Sequence, residues 1–221
     1  MLTLSTPGAR LWGMGTRKAR PGRKKADAYH HGDLRRALLQ EALRTIQARG
    51  VAALTLRAVA EELGVSRTAL YRHFADKQAL LGAVASEGFR TLRSALVAAW
   101  EREGRGRAGF EAMGRAYVRF ALDHPSHYRV MFGSAPVAGA AADDPGTDAF
   151  QALVDALVEE QERGAVRNDP PLLLALFVWS MVHGIAMLAL DGQLKDGAPP
   201  AEVLMEFANE RLRTGIATAL G

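Results

Sequence analysis

Arg67, Thr68, Ala69 and Arg72 lie within the run SRTALYRHF and carry the groups that read base edges in a duplex. A guanidinium forks onto guanine N7 and O6, a hydroxyl donates or accepts, and a methyl packs on the thymine methyl. Tyr71, His73 and Lys77 bring phenol, imidazole and ammonium groups suited to phosphate oxygens, which set position rather than sequence. A second set, Tyr117, Tyr128, Trp179 and His183, falls in apolar surroundings. Each has a largely apolar body and a polar atom that needs a partner when buried, as in the wall of a small-molecule cavity. Core packing, with His183 a satisfied core histidine, is the competing reading of those four.

Catalytic chemistry has little to stand on. Gly104-Arg-Gly106-Arg-Ala-Gly109 matches G-x-G-x-x-G, but it follows a helical pattern rather than a strand, so no dinucleotide cofactor is expected. No G-x-S-x-G, Walker A or H-E-x-x-H pattern occurs. Asp123, His124 and His127, or His30 and His31, are the nearest approach to a metal set. Pro125 separates the first two histidines and no second cluster completes them, so no metal is expected. The expectation is a binding protein and not an enzyme.

The base-reading groups need a short rigid helix, and the sequence supplies one. Thr55 caps a helix whose inner side is Leu56, Val59, Ala60 and Leu63, and Gly64 turns the chain. Ser66 caps a second helix, with Val65 and Leu70 at the hydrophobic-staple positions. Leu70 and Phe74 share its inner side; Thr68, Ala69 and Arg72 point away, with Arg67, Tyr71 and His73 on the flanks. Two helices about a glycine turn form a helix-turn-helix, although the same spacing also serves as a plain helical corner. Charge separates the readings. Residues 1–77 hold 15 Lys and Arg against 6 Asp and Glu, whereas the remainder holds 13 against 18. The basic end is suited to a polyanion.

Around this pair the chain reads as all-α, with about nine helices and no alternating strand pattern. Residues 1–28 form a basic arm with almost no apolar periodicity, expected to be disordered in isolation and able to lie along phosphates. Residues 29–78 form a three-helix head around Leu38, Ala42, Ile46, Leu54, Val59, Leu63, Leu70 and Phe74. Residues 79–221 form a helical body: a connector to about Trp100, a glycine-rich break at 104–109, helices at 110–122 and from Pro125, a turn-rich loop at 133–147, and helices near 147–164, 170–191 and 200–219. In the body, Phe110, Met113, Phe120 and Phe132 join the four polar-tipped residues as candidate cavity walls.

Leu172 to Leu190 runs nineteen residues without an ionisable carboxylate, lysine or arginine, long enough for a membrane. Ser180, His183 and Gly184 interrupt it and no basic cluster flanks it closely, so a helix buried at a subunit interface is expected instead. The chain has no cysteine, and the first residues lack the apolar core of a secretory signal; both fit the cytoplasm.

The stretches AYHHGDLRRALLQEALRTIQARG and LTLRAVAEELGVSRTALYRHFADKQALL closely resemble the DNA-binding head of the tetracycline-repressor (TetR) family of bacterial regulators. The resemblance implies that Thr55 and Arg57 open the helix ahead of the recognition helix and that Ser66 caps the latter. It further implies that Arg67, Thr68 and Ala69 face bases, that Tyr71 and His73 touch backbone, and that Lys77 meets a phosphate. Trp179-x-x-x-His183-Gly184, with HPSHYRVMFG at 124–133, resembles the subfamily named for its Trp-His-Gly signature. That likeness implies a homodimer through the helices at about 170–191 and 200–219, double-stranded DNA as partner, and an unidentified small-molecule effector. A helical small-molecule-binding protein or enzyme with an accessory, non-specific basic head is the alternative.

Overall fold

The computed structural model describes residues 31–133, 145–194 and 197–216. The basic arm at 1–28 and most of the loop expected at 133–147 lie outside the described residues. Nine α-helices and one 3-10 turn, and no strand, make up the described residues: α1 (His31–Arg49), the 3-10 turn (Val51–Ala53), α2 (Leu56–Glu62), α3 (Arg67–Tyr71), α4 (Lys77–Arg102), α5 (Gly106–Asp123), α6 (Pro125–Met131), α7 (Pro145–Glu162), α8 (Pro171–Leu190) and α9 (Ala201–Ile216).

The head forms because its apolar spacing and its caps agree. Leu38, Ala42 and Ile46 of α1 are buried with Leu54, Val59, Leu70 and Phe74. Leu63 is only half-buried, because it is the C-cap of α2 beside the exposed turn. Gly64 takes φ 64°, the left-handed conformation that a side chain resists, and Val65 N–H then bonds back to Ala60 O at 3.0 Å.

α4 carries the head into the body. Its first half packs on α1 and α6, and along its length it meets α5 and α7. One continuous buried cluster runs from Leu38 to Ala208, so no break in packing separates the two ends. The break expected at 104–109 is shorter, because α5 already begins at Gly106. A Cβ on Gly109 would stand 2.8 Å from Trp100 O, so this glycine serves the close approach of α5 to α4 rather than a turn. Arg105 holds the actual corner at φ 63°, its guanidinium bonded to Glu101 at 2.8 Å and Glu159 at 3.3 Å.

α8 buries Leu174, Ala175, Val178, Val182, Ile185 and Ala186 against its neighbours. Its other side shows Leu172, Leu173, Leu176, Phe177 and Leu188 to solvent, and α9 beside it shows Val203 and Phe207. α8 is long and apolar enough to cross a membrane by composition alone. Within one protomer it is half covered, not wrapped on all sides.

Candidate nucleic-acid interface and internal cavity

Two backbone caps fix the helix-turn-helix. Thr55 Oγ1 accepts from Ala58 N–H and Ser66 Oγ accepts from Ala69 N–H, each at 3.1 Å. Leu70 and Phe74 anchor α3 from beneath, at 1% and 3% exposure. Arg67, Thr68, Tyr71 and Arg72 stand exposed, with Ala69 and His73 half-buried. Tyr71 is 55% exposed, which removes it from the core and leaves its phenol at the surface. Arg67 and Arg72 take part in no ion pair among the described residues, so both forks are available to acceptors from outside.

The remaining head residues are partly engaged already. Arg57 Nε is 2.7 Å from Glu61 Oε1, an exposed pair one turn apart that a phosphate would displace at little cost. Lys77 Nζ donates to Val51 O at 3.0 Å and Ala52 O at 3.3 Å. A cation at a helix N-terminus is disfavoured by the dipole; these two carbonyls at the end of the 3-10 turn offset that penalty. One of its three ammonium hydrogens remains for a phosphate. Sequence reasoning passed over Arg35, whose guanidinium lies 5.3 Å from the centre of the Phe74 ring. An exposed arginine early in a helix gave no periodic signal to single it out.

In the body, α4, α5, α7, α8 and α9 surround a cavity of about 390 Å³. Phe110, Met113, Tyr117, Phe132 and Trp179 line it. Phe120 does not: it faces a separate groove and packs beside His124, ring centres 5.0 Å apart. Tyr128 and His183 also stay out of the lining, one hydrogen bond behind it.

The four polar-tipped residues form one cluster. Trp179 Nε1 donates to Tyr117 Oη at 3.0 Å; Tyr117 Oη lies 3.1 Å from Tyr128 Oη, and Tyr128 Oη 2.7 Å from His183 Nδ1. Indole is a donor only, so the direction of the chain is set at that end. With His183 Nδ1 accepting from either hydroxyl (Tyr117 Oη lies 3.2 Å away), every hydrogen has an acceptor, whereas a protonated Nδ1 leaves one tyrosine hydrogen without one inside the cluster. We therefore assign the His183 proton to Nε2, with Nδ1 accepting. Burial supports a neutral chain throughout: it lowers the His183 pKa and pushes Tyr117 up to about 12 and Tyr128 higher still.

Asn209 is a lining residue the sequence reading missed. It is 6% exposed, and its amide donates to Glu111 O at 3.5 Å. A signal was present, since Asn209 follows Met205 by one turn and shares the buried side of α9 with Ala208 and Leu212. α6 joins the two sites physically. It holds Tyr128 in the cluster while packing on α1 and α4, and a Cβ on Gly88 of α4 would stand 2.5 Å from Met131 Sδ. Asp123, His124 and His127 do not gather around one point: among the described residues no three His, Asp or Glu do.

Known proteins match both ends of the chain. Residues 38–84 match the family model of bacterial regulatory proteins of the tetR family, and residues 110–212 match that of the tetracyclin repressor-like C-terminal domain. A protein of unknown function from Rhodococcus sp. RHA1 has a similar structure, with TM-score 0.78 and 39% identity over 87% of this chain and 100% of that one. An uncharacterized HTH-type transcriptional regulator of Mycobacterium tuberculosis is 28% identical over 73% of this chain and 72% of its own. A tetR-family regulatory protein from Rhodococcus RHA1 shares the fold at TM-score 0.66 and 18% identity, covering 84% of this chain and 97% of that one.

Proposed function

The chain belongs to the TetR family of bacterial transcriptional regulators, and on that premise we propose that it is a dimeric repressor released from its operator by a small molecule. The observation that carries the reading is α3 itself: a helix anchored by Leu70 and Phe74 with Arg67, Thr68, Tyr71 and Arg72 turned outward. Arg67, Thr68, Ala69 and Arg72 would set base preference, while Tyr71, His73, Thr55, Arg57 and the free hydrogen of Lys77 would hold phosphates.

The apolar face of α8 and α9 supports the homodimer. Leu173 and Phe177 are 62% and 54% exposed, and Phe207 on α9 is 56% exposed. Gly184 lies on α8 with nothing within 4 Å of a Cβ placed there. Glycine inside a helix costs about 1 kcal/mol relative to alanine, and no neighbour within the protomer accounts for it. A partner helix approaching closely does, and two such helices from each subunit form a four-helix bundle across a two-fold axis. The dimer would present two copies of α3 to successive major grooves of a near-palindromic site, about one helical turn apart.

Release follows from the connection through α6. An effector in the cavity that favours a different placement of α6 against α4 shifts the dimer towards a spacing of heads that no longer fits DNA. The setting of such work is the cytoplasm, where the DNA is. Selection of preferred sequences from random DNA with the purified full-length protein tests the reading. A near-palindromic motif with two half-sites is expected. Equal binding to selected and random DNA would favour a small-molecule-binding protein with a non-specific basic head.

A further inference from the structure

The cavity lacks one kind of group that most ligand sites contain. Among the described residues, its lining has no aspartate, glutamate, lysine, arginine or histidine. Polar side chains come from Tyr117, Trp179, Asn209 and Thr147 alone. Trp179 has already given its single hydrogen to Tyr117, whose oxygen also lies 3.1 Å from Tyr128 Oη and 3.2 Å from His183 Nδ1, so its hydrogen-bonding directions are taken up inside the cluster. Asn209 Oδ1 accepts no hydrogen bond among the described residues, and Nδ2 gives one of its two hydrogens to Glu111 O. The walls are aromatic: Phe132 and Phe150 both pack on Trp179, with ring centres 6.1 and 6.0 Å away.

We propose that the cavity takes a neutral, mainly apolar aromatic molecule bearing a hydroxyl or N–H group that donates to Asn209 Oδ1; this rests on the effector role given to the cavity above. A carboxylate or ammonium group would leave water for a site with no counter-charge, a transfer that strongly disfavours binding. A wholly apolar ring would leave the Asn209 amide oxygen unanswered once water is displaced. The volume of about 390 Å³ equals roughly a dozen waters at ~30 Å³ each, which accommodates a fused bicyclic ring with substituents.

Naphthalene, 1-naphthol and 1-naphthoate share one ring system and differ in these two properties. Titrated calorimetrically into the full-length protein at neutral pH, 1-naphthol should bind tightest. Naphthalene should follow about two- to tenfold weaker, the net worth of one neutral hydrogen bond, and 1-naphthoate at least about a hundredfold weaker. Asn209→Leu should erase the advantage of the naphthol over naphthalene. The wild-type ranking decides the matter even if that variant proves unstable. Naphthoate binding as tightly as naphthol, naphthol no better than naphthalene, or no binding by any of the three would each overturn the proposal. Preference for selected over random DNA, measured on the same preparation by fluorescence anisotropy, reads the head independently. Loss of that preference sinks the regulator, whereas a wrong ligand order leaves it standing.

Discussion

The two ends of this protein treat polar atoms in opposite ways. On α3, Arg67 and Arg72 are exposed and outside any ion pair among the described residues, while the apolar side chains beneath fix their helix. In the body, Trp179, Tyr117, Tyr128 and His183 use their polar atoms on one another, ending at His183 Nδ1. The head therefore keeps its hydrogen-bonding capacity for a large partner that brings its own charges. The body leaves over little beyond the Asn209 amide and the Thr147 hydroxyl, which suits a small and nearly apolar guest. Affinity for DNA should then respond to surface charge and copy number, and the body to burial.

Breaking the dimer tests that contrast most severely. Phe177→Glu places a carboxylate on the exposed face of α8 and should leave the protomer folded, because that side chain is 54% exposed. Sedimentation should show monomers, and affinity for a two-half-site operator should fall by about 10²–10⁴, the gain that linkage of two binding modules confers. An unchanged dimer in that variant would place the interface elsewhere.

Base reading comes next. Arg72→Ala should lose about 1–3 kcal/mol on the selected sequence and relax preference at one position, with random DNA little affected. Equal loss on both would make Arg72 a phosphate contact. Lys77→Ala should act differently, weakening all sequences alike and reducing the slope of log affinity against log salt by about 1. Because Lys77 also ties the 3-10 turn to α4, its loss should lower the denaturation midpoint as well, by an amount equivalent to about 1 kcal/mol. A changed salt slope with an unchanged midpoint would show that the carbonyl contacts contribute nothing.

The smallest effect is on pH. Burial lowers the pKa of His183 below its ordinary value of 6.5, so the folded state binds fewer protons than the unfolded one between those two values. Stability is thus fully present above about pH 6.5 and declines as pH falls through that window. Burial lowers His127 likewise, against the opposing pull of Glu87, so it adds to the same trend. Urea denaturation at pH 7.5 and 5.5 should show the loss, and His183→Asn, which keeps an acceptor without titrating, should shrink it. A larger pH effect in that variant would place the titration elsewhere.

The sequence by itself determined the head. Its caps, its glycine turn and its apolar spacing all act within a few residues, so Thr55, Gly64, Ser66, Leu70 and Phe74 could be read in order, and charge imbalance set the end that meets a polyanion. Helix order in the body was legible for the same reason, from spacing at three and four. What only the tertiary structure decided are relations between distant segments. Tyr117 meets His183 across 66 positions, Lys77 meets Val51 across 26, and Asn209 joins a wall to which α4, α5, α7 and α8 also contribute. Periodicity reports which side of a helix is apolar; it carries no record of which other helix covers that side. The polar atoms that were used up, and the few that were not, became visible only once those sides had met.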